Sequence, residues 1–209
     1  MSRAIPLAVL TGDLIGSTGL APARIEQAFE VLRAASLRIT QWQDHSPLLS
    51  RYRGDGWQIV LVRPTLAVRA ALFLRAHLRA AGRDLSTRIA IATGCDLPPT
   101  SPDLNLATGP VFVASGRALD ALEPPAQLCF ASGGAMGAAV RLADALSQGW
   151  TVAQARAIAP MLAPHPPTRV AVAETLGIRR QAVEQALAAA DYPALSEALQ
   201  LIEGAADAS

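Results

Sequence analysis

The chain has 209 residues, 51% hydrophobic and 17% charged, a core-forming composition that excludes a disordered polymer. All eighteen basic residues are arginine. Without lysine there is no P-loop contact to β/γ-phosphates and no ε-amine for Schiff-base chemistry, and a net charge of +1 calls for neither nucleic acid nor an acidic membrane at the level of the whole chain.

From the N-terminus, Ile5 to Thr11 is a short apolar run closed by Gly12-Asp13, which predicts a strand and its turn. Pro22 to Trp42 follows with Ile25, Ala28, Phe29, Leu32, Ala35 and Ile39 at helical spacing. Leu48 to Arg53, the turn Gly54-Asp55-Gly56, and Trp57 to Val62 read as a hairpin. Pro64 suits the first turn of a helix reaching Ala81, and Thr87 to Thr93 alternates as a strand up to Gly94. The order β-α-β-β-α-β predicts an α+β, ferredoxin-like sandwich. A helix over Gly109 to Leu122 and a strand over Gln127 to Ala131 extend it.

Two compositions meet near Gln148 and Gly149, which predicts an α+β domain over 1–148 and an all-α domain over 149–209. The first segment holds 14 Arg against 11 acids and the second 4 Arg against 6 acids, so their charges have opposite sign. Cys95 and Cys129 lack metal-ligand spacing and are expected to be buried free thiols, while His45, His77 and His165 are scattered. Neither a signal peptide nor an apolar run of about 18–20 residues is present, which leads to the expectation of a cytoplasmic protein with no membrane partner.

In a ferredoxin-like sheet the end of the first strand and the tip of the second-to-third-strand hairpin share one edge. Asp13 and Asp55 should therefore converge, and two facing carboxylates call for a cation, Mg²⁺ or Mn²⁺ beside a phosphate. The turn Gly16-Ser17-Thr18 offers free N–H groups leading into a helix, a nucleotide-phosphate cradle that works without lysine. Against this stands a bland alternative, because Asp beside Gly at a strand end is common simply as turn chemistry.

Thr11-Gly12-Asp13-Leu14-Ile15-Gly16-Ser17-Thr18, Arg53-Gly54-Asp55-Gly56 and Thr87 to Gly94 together resemble the signatures of class III nucleotidyl cyclase domains. With Gly109-Pro110-Val111-Phe112-Val113-Ala114-Ser115-Gly116-Arg117, the nearer resemblance is to the SatD family, over almost the whole chain. The resemblance implies a cyclase-like fold, metal ions on Asp13 and Asp55, a bound nucleotide and a C-terminal helix-turn-helix. The sequence also departs from the cyclase pattern. Phe112 and Gly116 stand where a ribose-orienting asparagine and a phosphate-binding arginine belong, with Arg117 one residue out of place as the remaining catalytic candidate. The adenine-reading lysine is replaced at best by Arg51, whose planar fork selects different partners.

In the second segment, Thr168 is a predicted N-cap, and Gly177 separates Arg169–Leu176 from Arg179–Leu187 with the spacing of a helix-turn-helix. Arg179, Arg180, Gln181 and Gln185 would face a groove of double-stranded DNA, most effectively from a homodimer. The alternative is a three-helix docking module. These features lead to the expectation of a nucleotide-sensing transcriptional regulator with a degenerate cyclase-like domain and little or no turnover. The rival reading is an active metal-dependent cyclase or a related nucleotide-processing enzyme, and a third is a structural adaptor.

Overall fold

The computed structural model describes residues 3–43, 49–52, 54–101 and 103–205. His45 and Arg53, both singled out in the sequence, lie outside the described residues. The first part runs β1 (Ile5–Leu14), α1 (Pro22–Gln43), β2 (Leu49–Tyr52), β3 (Gly56–Leu61), α2 (Ala67–Ala81) and β4 (Thr87–Asp96). It continues with α3 (Pro110–Asp120), β5 (Leu128–Phe130) and α4 (Gly134–Gln148). The sheet order is β2-β3-β1-β4-β5, antiparallel throughout except for the parallel pair β4 and β5.

Alternation along β1 divides the core. Ala8, Leu10 and Leu14 join Trp57, Ile59 and Ile91 under α1 and α2. Leu7 and Val9 meet Val111 and Phe112 of α3 on the opposite face. β1 does not stop at Thr11. It continues through Leu14 because both flanks remain paired there, Asp13 lying opposite Gly56 on one side and Arg88 on the other. Gly12 is needed inside this strand because the Trp57 indole crosses it, and a Cβ there would lie 2.4 Å from the ring.

α2 is buried on nearly every side because it lies between the sheet and the first of the C-terminal helices. Those helices are α5 (Val152–Met161), α6 (Arg169–Leu176), α7 (Arg180–Ala189) and α8 (Tyr192–Ala205). One apolar cluster runs from Ala8 in β1 through α2 to Ile158, Val183 and Leu199. Two arginines buried on α2 cannot remain unpaired there. Arg69 reaches Glu203 of α8 at 2.5 and 3.0 Å, and Arg75 reaches Asp144 of α4 at 2.7 Å. Burial nonetheless pushes the Arg75 guanidinium below its ordinary range, against the pull of Asp144.

Thr151 and Gln154 form a reciprocal cap on α5, and Thr168 caps α6 through the Ala171 N–H at 3.2 Å. Gly177 takes φ 65°, so the chain turns sharply into α7, whose buried Val183 and Leu187 pack toward α5, α6 and α8. The thiols depart from expectation: Cys95 is exposed, because β4 runs past Thr93 to the sheet's open end, and Cys129 is only half-buried. Among the described residues, no helix is long and apolar enough to cross a membrane.

Candidate functional site

The register fixes which side chains share a face. Thr11 and Asp13 on β1, Arg88 on β4, and Tyr52 and Gln58 on the hairpin all lie on the α3 side. Thr11 is anchored by Ser115 Oγ of α3 at 2.8 Å and accepts from Gln58 Nε2 at 3.2 Å. Asp13, Gly16 and Asp55 then open onto one cleft of about 560 Å³, whose walls include Ile15, Arg88 and the segment Pro124 to Gln127.

The two aspartates are held in different ways. Arg88 grips Asp13 in a two-pronged ion pair, with Nε donating to Oδ1 at 2.9 Å and Nη2 to Oδ2, while its Nη1 donates to the Leu122 carbonyl at 3.1 Å. Asp55 accepts a hydrogen bond from the Ser17 hydroxyl, which ties the hairpin tip to the turn after β1. The Leu14 N–H, donating to the Asp55 carbonyl at 3.2 Å, closes the same junction. Hydrogen bonding to Asp13 raises the Arg88 guanidinium above its ordinary range against partial burial, and the charges of Asp13, Asp120 and Asp55 add to the rise. Within the cleft two carboxylates, Asp13 and Asp55, accompany one guanidinium, an excess of one negative charge, while Asp120 acts from outside its lining.

This excess decides what the site can hold. A bare phosphate would be repelled by the Asp13 and Asp55 carboxylates more than Arg88, already paired with Asp13, would attract it, whereas a hard divalent cation suits their oxygen donors. Arg88 stands in for such a cation at Asp13, so the residues present fit Mg²⁺ or Mn²⁺ by donor chemistry. As arranged, both Asp13 oxygens are occupied, and among the described residues no three His, Cys, Asp or Glu side chains lie close enough to hold a metal together.

The other sequence candidates fall in different places. Ser17–Gly19 is a short 3₁₀ turn and not the first turn of α1, which starts only at Pro22. Its Gly19 and Leu20 N–H groups close on Gly16 and Ser17 carbonyls at 2.9 and 3.0 Å, so the cradle has fewer free donors than the sequence suggested. Gly16, at φ 68°, and Thr18 are exposed, but only Gly16 lines the cleft. Arg51 lies opposite Trp57, which puts its side chain on the other sheet face. There it stacks over the Phe29 ring at 4.0 Å and bonds Glu26 and the Gly54 carbonyl, each at 2.6 Å, so it braces the hairpin.

Arg117 is exposed on α3 and lines neither this cleft nor its neighbour. That neighbouring cleft, about 760 Å³, is lined by Thr11, Tyr52, Gln58, Asn105, Phe112, Gly116 and Asp120, and Arg51 also borders it, its carbonyl accepting from Asn105 Nδ2 at 3.2 Å. Phe112 is locked in the apolar cluster with Leu7 and Val9 and offers no polar atom. Arg179, at the N-cap of α7, and Arg180, Gln181 and Gln185 on it are all exposed, with Arg180 Nε 3.1 Å from Glu184 on the same helix.

Sequence reasoning missed two residues here. Arg88 would have followed from the register, which sets it directly across from Asp13 as a cross-strand charge pair. Asp120 carried a weaker signal: an acid ending α3 opposes the helix dipole and so calls for another reason to be there.

No protein-family model matches the sequence, and no curated protein matches it. Among solved structures, the chain is similar to the adenylyl cyclase CyaB from P. aeruginosa, at 18% identity over 62% of this chain and 78% of that one, with a TM-score of 0.42. It is similar to a bacterial light-regulated adenylyl cyclase at 15% identity and TM-score 0.43, over 62% of this chain but only 44% of that one. It is also similar to the active GGEEF domain of a diguanylate cyclase from Vibrio cholerae, at 16% identity over 60% of this chain and 83% of that one, with a TM-score of 0.39. Likeness at this level transfers no residue's role from those enzymes to this chain.

Proposed function

We propose that the chain is a cation-dependent nucleotide-binding regulator, related to class III cyclases through the SatD-like pattern of its motifs. The observation that carries the reading is the opening of Asp13 and Asp55 onto one cleft with a surplus of negative charge around Arg88. Asp13 and Asp55 would hold Mg²⁺ or Mn²⁺, which supplies the positive charge that a nucleoside triphosphate needs at this acidic site. Ser17 positions Asp55 through its hydroxyl, and Gly16 leaves the cleft mouth open to the phosphates. Tyr52, Gln58 and Asn105 in the adjoining cleft offer polar groups to the nucleoside.

In this reading α6 and α7 form a helix-turn-helix, and Arg179, Arg180, Gln181 and Gln185 face DNA. The supporting observation is that α7 buries Val183 and Leu187 among α5, α6 and α8 and leaves those four side chains exposed. A homodimer would present two such helices to successive major grooves.

A second reading, an active cyclase, is favoured by the same carboxylate pair beside a cleft large enough for a nucleoside. Its weak point is Phe112, which cannot orient a ribose from within the apolar core. One experiment separates the two readings: ATP and GTP with Mg²⁺ or Mn²⁺ are tested for thermal stabilisation and, in parallel, for cyclic product by mass spectrometry. Cation-dependent stabilisation without product supports the regulator. Robust product, lost in Asp55→Asn, supports the enzyme. Neither stabilisation nor product overturns nucleotide binding altogether.

A further inference from the structure

Away from the aspartate cleft, a second concavity opens where α1, α2 and the β3–α2 connection meet α5 and the Pro160 to Pro167 loop. It measures about 720 Å³ and continues past Arg38, Pro160 and Pro167 into a smaller pocket of about 360 Å³. This is the size range of small-molecule sites. Its apolar wall is Trp42, packed edge to face on the fully buried Phe73 with ring centroids 4.7 Å apart.

The charge on this wall is one-sided. Arg38, Arg63 and Arg156 line the joined pockets, and among the described residues none of the three has a carboxylate partner. The lining carboxylate Glu203 is already held by both prongs of Arg69. Each guanidinium is nonetheless tethered to the wall through one nitrogen. Arg63 Nη1 donates to the Trp42 carbonyl at 2.9 Å, Arg156 Nε to the Ala80 carbonyl at 3.3 Å, and Arg38 Nη1 lies 3.4 Å from His77 Nε2. Tethering removes much of the side-chain freedom that anion capture would otherwise cost, and the remaining N–H groups of each fork stay available.

We infer that this concavity is a binding site for a small organic anion with a flat apolar body, an aromatic carboxylate, sulfonate or phosphate. The ring would lie against Trp42, which Phe73 backs, and the acid group would take N–H donors from Arg38 and Arg63, with Arg156 adding positive charge from the joined pocket. Because the walls come from α1 and α2 on one side and α5 on the other, a ligand bound here holds the helical segment against the sheet layer. The site uses none of the residues around Asp13.

The test uses 8-anilinonaphthalene-1-sulfonate, an aromatic sulfonate, as the probe on the full chain, with circular dichroism confirming native structure. The expected result is one saturable site with blue-shifted emission, weakened at least tenfold, about 1.4 kcal/mol, in Arg38→Gln/Arg156→Gln. Arg33→Gln, an exposed change elsewhere on α1, should leave the affinity unchanged. Should the double variant fail to fold, the exposed Arg63→Gln makes the same decision, with severalfold weakening expected. Absence of a saturable site, or equal affinity in the folded arginine variants and the native chain, overturns the inference.

Discussion

Replacing Arg88 by glutamine removes the positive charge that occupies Asp13 and should change cation binding in a calculable direction. In the native chain a divalent ion reaches Asp13 only by displacing a two-pronged ion pair. Both partners are partly exposed, with side chains 33% and 23% accessible, so screening keeps the pair well below a buried one. Two charge-assisted hydrogen bonds in such a setting are worth about 1–2 kcal/mol. Releasing that competition in Arg88→Gln should tighten Mg²⁺ or Mn²⁺ binding by the same amount, about fivefold to thirtyfold. It should also lower stability without cation, because Asp13 loses its ion-pair partner and shares the cleft with Asp55 without a counter-charge. Isothermal titration of Mn²⁺ into both proteins reads the first effect, and urea unfolding with and without Mn²⁺ the second. Unchanged or weaker Mn²⁺ binding in Arg88→Gln would refute the argument that Arg88 stands in for the ion.

Gly12→Ala places a methyl 2.4 Å from the Trp57 ring and 2.6 Å from the Arg88 carbonyl, so overpacking should cost about 1–3 kcal/mol in urea unfolding. Burial holds the His77 imidazole below its ordinary range, with Arg38 adding to the effect and the Phe73 carbonyl opposing it. The unfolded chain therefore takes up this proton first as pH falls below about 6.5, and stability declines from there toward the lowered folded value. His77→Gln should flatten that decline, whose ceiling is about 1.4 kcal/mol per pH unit, in unfolding curves between pH 7 and 5. Arg180→Ala should weaken DNA binding and reduce its salt slope by about one in polarisation titrations at two salt concentrations, its Glu184 pair being too exposed to withhold it.

The β-α-β-β-α-β order was legible because each element of the first segment carries its own period, and Gly54 and Pro64 punctuate them. The length of β1 was not. Gly12-Asp13 reads locally as a turn, and only pairing on both flanks keeps it extended. The same pairing explains why Asp13 and Asp55 were visible as residues while the guanidinium paired with Asp13 was not. Arg88 and Asp13 are 75 positions apart and meet through register alone. Arg51 shows a different limit. The cyclase pattern puts it nearest the place of the adenine-reading lysine; strand alternation sends its side chain to the α1 face, although the residue borders the adjoining cleft. Val183 and Leu187 set the buried stripe of α7, and helical spacing leaves Arg180, Gln181 and Gln185 outside it.

The central claim is that Asp13 and Asp55 jointly hold a divalent ion that a nucleotide needs. Electron paramagnetic resonance of Mn²⁺ titrated into the full chain with a non-hydrolysable nucleoside triphosphate tests it most directly. The expected result is protein-bound Mn²⁺ that depends on the nucleotide and weakens at least tenfold in Asp13→Asn and in Asp55→Asn, with native structure retained. Equal Mn²⁺ binding in the native chain and both folded variants would contradict it.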